Sequence, residues 1–441
     1  MARQQANRQL AIGRPRSKEA DIAQEGSRHI VSARYFCENP HSNRLGPVNI
    51  LNTIAKFQRV ATMIALMASL SACTAFNDFM APPHNEEPPV ARLPPLEERP
   101  RLDPISRNYF VIESPEQSVI GEQQLVFASE ENTFSDLARE YGLGYDELVE
   151  ANPDVDPWLP GEGTPILLPT QFVIPDVPRE GIILNIATKR LFYFPQALDG
   201  EEQIVMTYPI GIGRVGWETP LGSSAVISKA RDPHWYVPAS VRREHEEIGD
   251  PLPSIVPPGP DNPLGKHVLK LDIPGYLIHG TNQPYGVGMR VSHGCVRLYP
   301  ENIELLYELV GVGEPVNIIN EPFLAGWRDD QIYFEAHTPL VDDEVSPDGR
   351  LVEALERVES LSSLHEIPVN IEQLTALASA GTGVPIALSV EDKQDVYARV
   401  RIVRNTVEPD PSMPTLDEVR AILDAPLDDE ENANGQTVAD E

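Results

Sequence analysis

The chain has 441 residues, a length that accommodates two or three domains. Its 67 acidic residues outnumber its 35 basic ones, and the formal charge of -32 disfavours binding to the phosphate backbone of nucleic acids. The three cysteines, Cys37, Cys73 and Cys295, are too widely scattered to indicate a disulfide framework, so each requires its own explanation.

A secretory signal is predicted before Cys73. Lys56 and Arg59 precede an apolar run, residues 60–70, which is short for a transmembrane helix and typical of a signal peptide. The sequence Leu-Ser-Ala-Cys resembles a bacterial lipobox, which implies cleavage before Cys73 and lipidation of that cysteine. Thr74 in the next position favours the outer membrane. The alternative is an ordinary apolar helix with a buried cysteine, which the acidic, Pro-rich sequence downstream disfavours.

The predicted signal lies far from the first residue. Residues 1–47 are basic, polar and without clear periodicity, which indicates an over-extended start, and a start at Val48 gives a signal of ordinary length. Residues 1–73 are therefore assigned to an over-extended start and a lipoprotein signal peptide, and Cys37 is not expected in the mature protein. Residues 74–107 are Pro-rich and lack a hydrophobic face, so they are predicted to form an extended tether between a lipid anchor and a folded body.

Residues 123–170 are predicted to form a small strand–helix–helix–strand unit. Leu125–Ala128 indicates a short strand, Thr133 can cap the first helix, and residues 145–151 carry apolar side chains at helical spacing. Pro165–Pro169 closes the unit as a second strand. This order, with the segments NTFSDLAREYGLGYDELVEANP and GTPILLP, resembles a LysM domain, a glycan-binding module. The resemblance implies contact with the glycan of peptidoglycan, and a small α+β spacer is the alternative.

Residues 180–320 are predicted to be mostly β, with little helix. Apolar runs at Gly181–Ala187 and Leu191–Phe194 indicate strands, and glycines and prolines interrupt the sequence between further strands. Pro300 is well placed in the first turn of a helix. The Pro-rich segment 251–263 predicts a long loop that forms part of a substrate cleft or lid.

The remainder of the chain carries weaker signals. Residues 331–337 indicate one more strand, and residues 351–361 and 371–380 have helical patterns. We assign residues 321–408 to a C-terminal extension without a predicted role. Residues 409–441 are acidic and are predicted to form a disordered tail.

Cys295 is the candidate nucleophile. It lies in a Gly-rich stretch with His293 two positions before it and His279 sixteen positions before it. A thiol is mostly protonated near neutral pH, so a base or a positive environment must generate the thiolate. Either histidine can supply that base. His279 follows an apolar strand and enters a loop, a common position for a catalytic side chain on a rigid scaffold.

The sequence around these residues resembles the signature of a known family. His279-Gly280-Thr281 and Ser292-His293-Gly294-Cys295-Val296-Arg297-Leu298 are similar to the motif of the L,D-transpeptidase catalytic domain, also called the YkuD family. Gly211-Ile212-Gly213 and Thr219–Gly222 also fit, and the match extends over Gly181–Asn320. The resemblance implies a mainly β catalytic domain, a YkuD-like β-sandwich with short helices, in a periplasmic enzyme that acts on peptidoglycan.

The resemblance also implies the catalytic roles. Cys295 would be the nucleophile, and His279 would take the thiol proton and return it to the leaving amine. The backbone carbonyl of Gly280 would orient the imidazole, as the third member of such a group normally does.

The other motif residues would support these two. His293 is expected to assist on the oxyanion side, with Ser292 as a further supporting residue, and backbone N–H groups around Gly294 and Cys295 would stabilise the tetrahedral oxyanion. Arg297 would clamp a substrate carboxylate, because a guanidinium group pairs bidentately with carboxylates.

The implied reaction has two steps. Cys295 attacks the carbonyl of the third residue of a peptidoglycan stem peptide, D-alanine leaves, and a thioester remains. An amine then takes the acyl group, either from another stem peptide, which gives a 3–3 cross-link, or from a lysine of a small wall-anchored lipoprotein. The reaction requires no metal, nucleotide or other cofactor.

Three alternatives remain open at this point. His279, His293 and Cys295 are residue types that bind zinc, although the short-range pairing typical of structural zinc sites is lacking. Water as acceptor would make the protein a cysteine peptidase that hydrolyses wall peptides. The third alternative is a non-catalytic, lipid-anchored protein that binds the wall through the LysM-like unit.

Overall fold

The computed structural model of the protein describes residues 94–105, 108–197, 202–388 and 400–408. The predicted signal, Cys37 and Cys73 lie outside the described residues, as do most of the predicted tether and the acidic tail. No helix within the described ranges is long and apolar enough to cross a membrane.

Helices are a minor part of this structure. In chain order the α-helices of the described residues are α1 Phe134–Glu140, α2 Tyr145–Ala151, α3 Ala239–Glu247, α4 Pro300–Leu309, α5 Pro347–His365 and α6 Ile371–Ala380. Two short 3₁₀ helices span Leu96–Glu98 and Pro284–Gly286.

Strands dominate the described chain. In chain order they are β1 Tyr109–Ile112, β2 Val119–Gly121, β3 Gln124–Phe127, β4 Pro165–Leu168, β5 Gln171–Val173, β6 Gly181–Asn185, β7 Arg190–Phe194, β8 Gln203–Pro209, β9 Ile212–Gly213, β10 Gly222–Arg231, β11 Trp235–Tyr236, β12 Ile255–Val256, β13 His267–Leu271, β14 Leu277–His279, β15 Arg290–Ser292, β16 Val296–Arg297, β17 Pro315–Ile319, β18 Phe323–Arg328, β19 Gln331–Ala336, β20 Ile386–Ala387 and β21 Arg401–Ile402.

The catalytic region is built on one nine-stranded sheet in the order β1-β8-β7-β6-β17-β10-β13-β14-β16. Strand β10 pairs with β17 through its first half and with β13 through its second half, and the register shifts between Val226 and Ser228. Such a shift is where a strand can bend from one layer into another. Gly211, just after β8, pairs with Arg297 on β16, so the sheet curls back on itself. The predicted mainly β fold is confirmed.

Both faces of strands β6 and β7 are buried, which explains their continuous apolar sequence. Ile182 and Leu184 belong to the core inside the curled sheet, together with residues of β13, β14, β16 and α4. Ile183 and Phe192 point to the other face and pack against helix α1 through residues such as Leu137. The sheet that carries the catalytic motif is therefore fixed from both sides.

The predicted strand–helix–helix–strand order is confirmed as β3-α1-α2-β4. Thr133 caps α1 through a capping box with Asp136, and Gly142 follows the helix with a positive φ of 67°. Strand β21, from the far end of the described chain, pairs in parallel with β3 and adds a third strand to this small sheet. Leu102 pairs with Val403 beside it, so residues 94–105 of the predicted tether lie on the folded body.

The C-terminal extension has its own small core. The strand predicted near residue 331 and the two predicted helices are confirmed as β19, α5 and α6. Strands β18, β19 and β20 form a sheet, and α5 and α6 pack on it through Val358 and Leu374.

Buried charged groups connect the three regions. Arg190 on β7 pairs with Glu147 on α2 through two contacts of 2.7 Å, and both side chains are buried. His337, just after β19, contacts Glu150 at 3.1 Å and Glu335 at 2.8 Å. Burial opposes charge on His337, but these two carboxylates outweigh it and raise its pKa to about 9.

Candidate active site

The register of two neighbouring strands brings the predicted catalytic residues together. Strands β14 and β16 are parallel, with Ile278 opposite Val296 and His279 opposite Arg297. Ile278 and Val296 are buried in the core. Because side chains alternate along a strand, His279 and Arg297 share the opposite face. Cys295 immediately precedes β16, so the same alternation places it on the face that carries His279.

His279 is held as a neutral imidazole. Its Nδ1 atom lies 2.6 Å from the carbonyl oxygen of Gly280. A carbonyl only accepts hydrogen bonds, so Nδ1 carries the proton and Nε2 keeps a free lone pair. Burial, with a smaller effect from Arg297, lowers the pKa of His279 to about 3. The Gly280 contact predicted from the sequence is present, and it sets the tautomer that a general base requires.

Cys295 is half-buried and carries a free thiol. Its Sγ atom donates a hydrogen bond to the carbonyl of Gly275 at 3.6 Å. Burial raises the pKa of the thiol, and the nearby Arg297 opposes that effect. The resting pair is therefore a neutral thiol and a neutral imidazole.

A set of hydrogen bonds braces the loop that carries the nucleophile. The hydroxyl of Ser292 donates to the carbonyl of Cys295 at 2.6 Å and accepts from the amide of Gly294 at 3.1 Å. The hydroxyl of Thr219 donates to the carbonyl of Gly294 at 2.9 Å. Gly294 has a φ of 101°, and a Cβ atom there would approach the ring of Tyr276 to 2.9 Å. Only glycine fits this position without strain.

This bracing distinguishes between the two predicted oxyanion donors. The Gly294 amide already donates to Ser292, whereas the Cys295 amide makes no hydrogen bond within the described part of the chain. Among the described residues, the Cys295 N–H therefore stays free, whereas the Gly294 N–H is occupied. Ser292 acts on the loop backbone, as a supporting residue.

His293 contacts two charged residues that the sequence did not indicate. Its Nε2 atom lies 3.0 Å from a carboxylate oxygen of Glu244 on α3 and 3.3 Å from the guanidinium of Arg214. Glu244 and Arg214 also form an ion pair with each other. Trp217 meets the His293 ring edge-on, with 4.8 Å between ring centroids. Burial lowers the pKa of His293, and Glu244 partly offsets that shift.

Arg297 presents an unpaired charge to the site. Its Nε atom is buried without a hydrogen-bond partner, and the side chain has no ion pair with any residue that the structure describes. Burial lowers the pKa of its guanidinium, yet the charge still influences both His279 and Cys295. An anionic group of a bound molecule would compensate this charge.

The alternative metal site gains no support from this geometry. Among the residues with described positions, no three His, Cys, Asp or Glu side chains gather in a way that could hold a metal ion. His293 instead faces the carboxylate of Glu244.

Comparison with known proteins agrees with this site. Residues 179–318 match the family model of the L,D-transpeptidase catalytic domain, YkuD. The Escherichia coli K12 protein named probable L,D-transpeptidase YbiS is 38% identical over 277 residues, which cover 62% of this chain and 89% of that protein. Probable L,D-transpeptidase YcfS is 38% identical, over 55% of this chain and 77% of its own length. The Escherichia coli K12 protein named probable L,D-transpeptidase ErfK/SrfK is 34% identical, over 64% of this chain and 91% of that protein. On this similarity and the motif geometry, the chain belongs to the L,D-transpeptidase family.

Proposed function

We propose that this L,D-transpeptidase acts on peptidoglycan stem peptides, with Cys295 as nucleophile and His279 as general base. One observation carries the proposal: the Nδ1 contact with Gly280 leaves Nε2 of His279 as a proton acceptor on the sheet face that carries Cys295 and Arg297. A nucleophile, an oriented base and a free cation on one face of the sheet suit acyl transfer from a carboxylate-bearing substrate.

In the first step, the Cys295 thiol attacks the carbonyl carbon of the third stem-peptide residue as its proton moves to Nε2 of His279. The Cys295 amide donates to the oxyanion of the tetrahedral intermediate. The carbon–nitrogen bond to D-alanine then breaks, and His279 returns the proton to the leaving amine. A thioester on Cys295 and free D-alanine result.

In the second step, an amine attacks the thioester and Cys295 leaves as the thiol. An amine from another stem peptide gives a 3–3 cross-link, and a lysine of a small lipoprotein gives a wall anchor. Water would give hydrolysis, the activity of a cysteine peptidase. The unpaired guanidinium of Arg297 supports a role as clamp for a substrate carboxylate.

The strand–helix–helix–strand unit is proposed to contact the glycan. Trp158 is 61% exposed, and its ring lies beside that of Tyr145, with 6.0 Å between the centroids. The α2 end that carries Tyr145 meets the catalytic region, because the Tyr145 amide donates to the carbonyl of Val287. The exposed Trp158 ring, with the half-buried Tyr145 ring beside it, offers an apolar surface to a sugar ring. Retention of Trp158→Ala on insoluble peptidoglycan should be weaker than retention of the wild type.

The proposed location is the periplasm, with a lipid on Cys73 in the outer membrane and the Pro-rich segment as tether. The lipobox-like sequence supports this proposal. Metabolic labelling with an alkyne fatty acid should mark the wild type and leave Cys73→Ala unlabelled. Equal labelling of both proteins would refute the lipid anchor.

The catalytic proposal is tested with purified tetrapeptide muropeptides and a candidate lipoprotein, followed by mass spectrometry. Wild-type protein should release D-alanine and form either a cross-linked dimer or a lipoprotein adduct, and Cys295→Ala should form neither. A carbapenem, as a strained acyl donor, should add to the wild type and leave Cys295→Ala unmodified. D-alanine release without any amine adduct would identify a hydrolase, and activity of Cys295→Ala would refute the mechanism.

A further inference from the structure

Helix α3 lies outside the main sheet, in an excursion between β10 and β13 that we call the arm, residues 232–263. The arm contains its own two-stranded pair, β11 with β12. The side-chain amide of Asn262 closes its base by donating to the carbonyls of Pro233 and Pro257 at 2.7 and 3.2 Å. The arm is thus a defined element rather than an irregular loop.

Helix α3 meets the catalytic loop through Glu244, and the ring of His245 lies 6.5 Å from that of His293. Val241 is the buried residue of this helix, and most of the others are exposed. Glu244 reaches both His293 and Arg214, whereas the neighbouring His245 pairs within the arm, with Asp250 at 3.8 Å. The polar link between α3 and the catalytic loop therefore depends on Glu244.

The environment of His293 makes this link important. Its charged and titratable neighbours are Glu244 and His245 from α3, Arg214 from the loop after β9, and Arg297 from β16. Within this group Glu244 is the hydrogen-bond acceptor for the His293 ring.

His293 is joined to the nucleophile through Gly294, a residue with a positive φ and no side chain to restrict it. The loop on the far side of Gly294 is braced by Ser292 and Thr219. Thr219 holds the carbonyl of the Gly294–Cys295 peptide, which carries the Cys295 amide, and Glu244 holds the His293 side chain just before that peptide.

We propose that Glu244 is a positioning residue for acyl transfer: by holding His293, it works with Thr219 to keep the Cys295 amide directed at the carbonyl oxygen of the substrate. This inference rests on the proposed function, because it assigns that amide to the oxyanion. Glu244 touches neither substrate nor nucleophile and acts through His293. Its pairing with Arg214 keeps the carboxylate charged and oriented, and this pairing lowers the pKa of Glu244.

The test uses the rate constant for carbapenem acylation of the full chain, followed by intact mass spectrometry. Glu244→Ala should lower that rate constant about a hundredfold, the size of effect expected when a reacting group is displaced by about 1 Å. Glu244→Gln keeps a hydrogen-bond acceptor but removes the charge. The acylation rate constant of this variant should therefore fall less than that of Glu244→Ala, and the pH profile of its acylation should be shifted. Glu246→Ala, an exposed change on the same helix, is the matched control and should acylate at the wild-type rate.

A double-variant cycle separates positioning from a general structural role. If Glu244 acts through His293, then Glu244→Ala combined with His293→Ala should lose no more than His293→Ala alone. Additive losses, or a Glu244→Ala protein that acylates at the wild-type rate, would overturn the inference while leaving the proposed function intact. A wild-type protein that forms no adduct would overturn both. Thermal unfolding of each variant shows whether a loss of acylation rate reflects unfolding of the protein. A Glu244→Gln protein that is acylated slowly but unfolds at the wild-type Tm supports the positioning role.

Discussion

Replacing Arg190 with methionine should destabilise the folded protein by about 3 kcal/mol. Arg190 makes two contacts of 2.7 Å with Glu147, donates to the Thr207 hydroxyl and the Gly142 carbonyl, and lies 3.9 Å from the centroid of the Phe172 ring. Methionine preserves much of the volume but leaves the buried carboxylate of Glu147 without its cation.

The magnitude follows from the partners that remain. Removing one member of a buried ion pair typically costs about 3–5 kcal/mol, because the other charge stays buried. Glu147 keeps one hydrogen bond, from the Gly144 amide at 2.6 Å, which places the loss at the lower end of that range. In urea unfolding, this corresponds to a midpoint lowered by about 1 M at a slope near 3 kcal/mol per M.

A matched control is available at the same junction. Arg139 on α1 pairs with Glu301 on α4 at 2.9 and 3.0 Å, but both side chains are exposed. Arg139→Met should cost less than about 1 kcal/mol. Arg190→Met combined with Glu147→Leu should recover stability relative to Arg190→Met alone. Equal losses for the two arginines, or a double variant less stable than the single one, would refute this reasoning.

Further predictions concern two buried histidines and one glycine. The pKa of His337 is raised from 6.5 to about 9, so its contribution of about 3 kcal/mol is complete below pH 6.5 and is lost as pH rises through about 9. The Tm should therefore fall more steeply between pH 6.5 and 9.5 in the wild type than in His337→Gln. His279→Ala should slow carbapenem acylation by about 10²–10⁴, and a larger loss in His293→Ala would move the base to His293. Gly294→Ala, forced against Tyr276, should slow acylation while circular dichroism stays unchanged, and a wild-type rate would contradict that contact.

The sequence predicted those parts of the site that depend on neighbours along the chain. His279 and its Gly280 carbonyl are adjacent, and the strands on either side of the motif are short apolar runs that periodicity identifies. The helix from Pro300 and the cap at Thr133 depend on equally local signals. Local chemistry was sufficient for these features.

The contacts that sequence reasoning missed join distant segments. Glu244 lies 49 residues from His293, and Arg214 lies 79 residues from it, with no local pattern to connect them. Asn405 bonds to the carbonyl of Phe127 across 278 residues. Pairings of this kind arise from the topology of the sheet, and a single sequence gives no periodic signal for them.

The C-terminal extension, which had no predicted role, is connected to the catalytic loop by consecutive contacts. Asp342 forms a bidentate pair with Arg290 on β15, at 2.8 and 2.7 Å. The Nε atom of Arg290 donates to the carbonyl of Gly213, and the Gly213 amide in turn donates to the Thr219 hydroxyl, which bonds to Gly294. The extension therefore supports the loop from one side while Glu244 holds it from the other. Because the loop contains a glycine at a positive φ, its geometry depends on such external contacts more than on its own backbone.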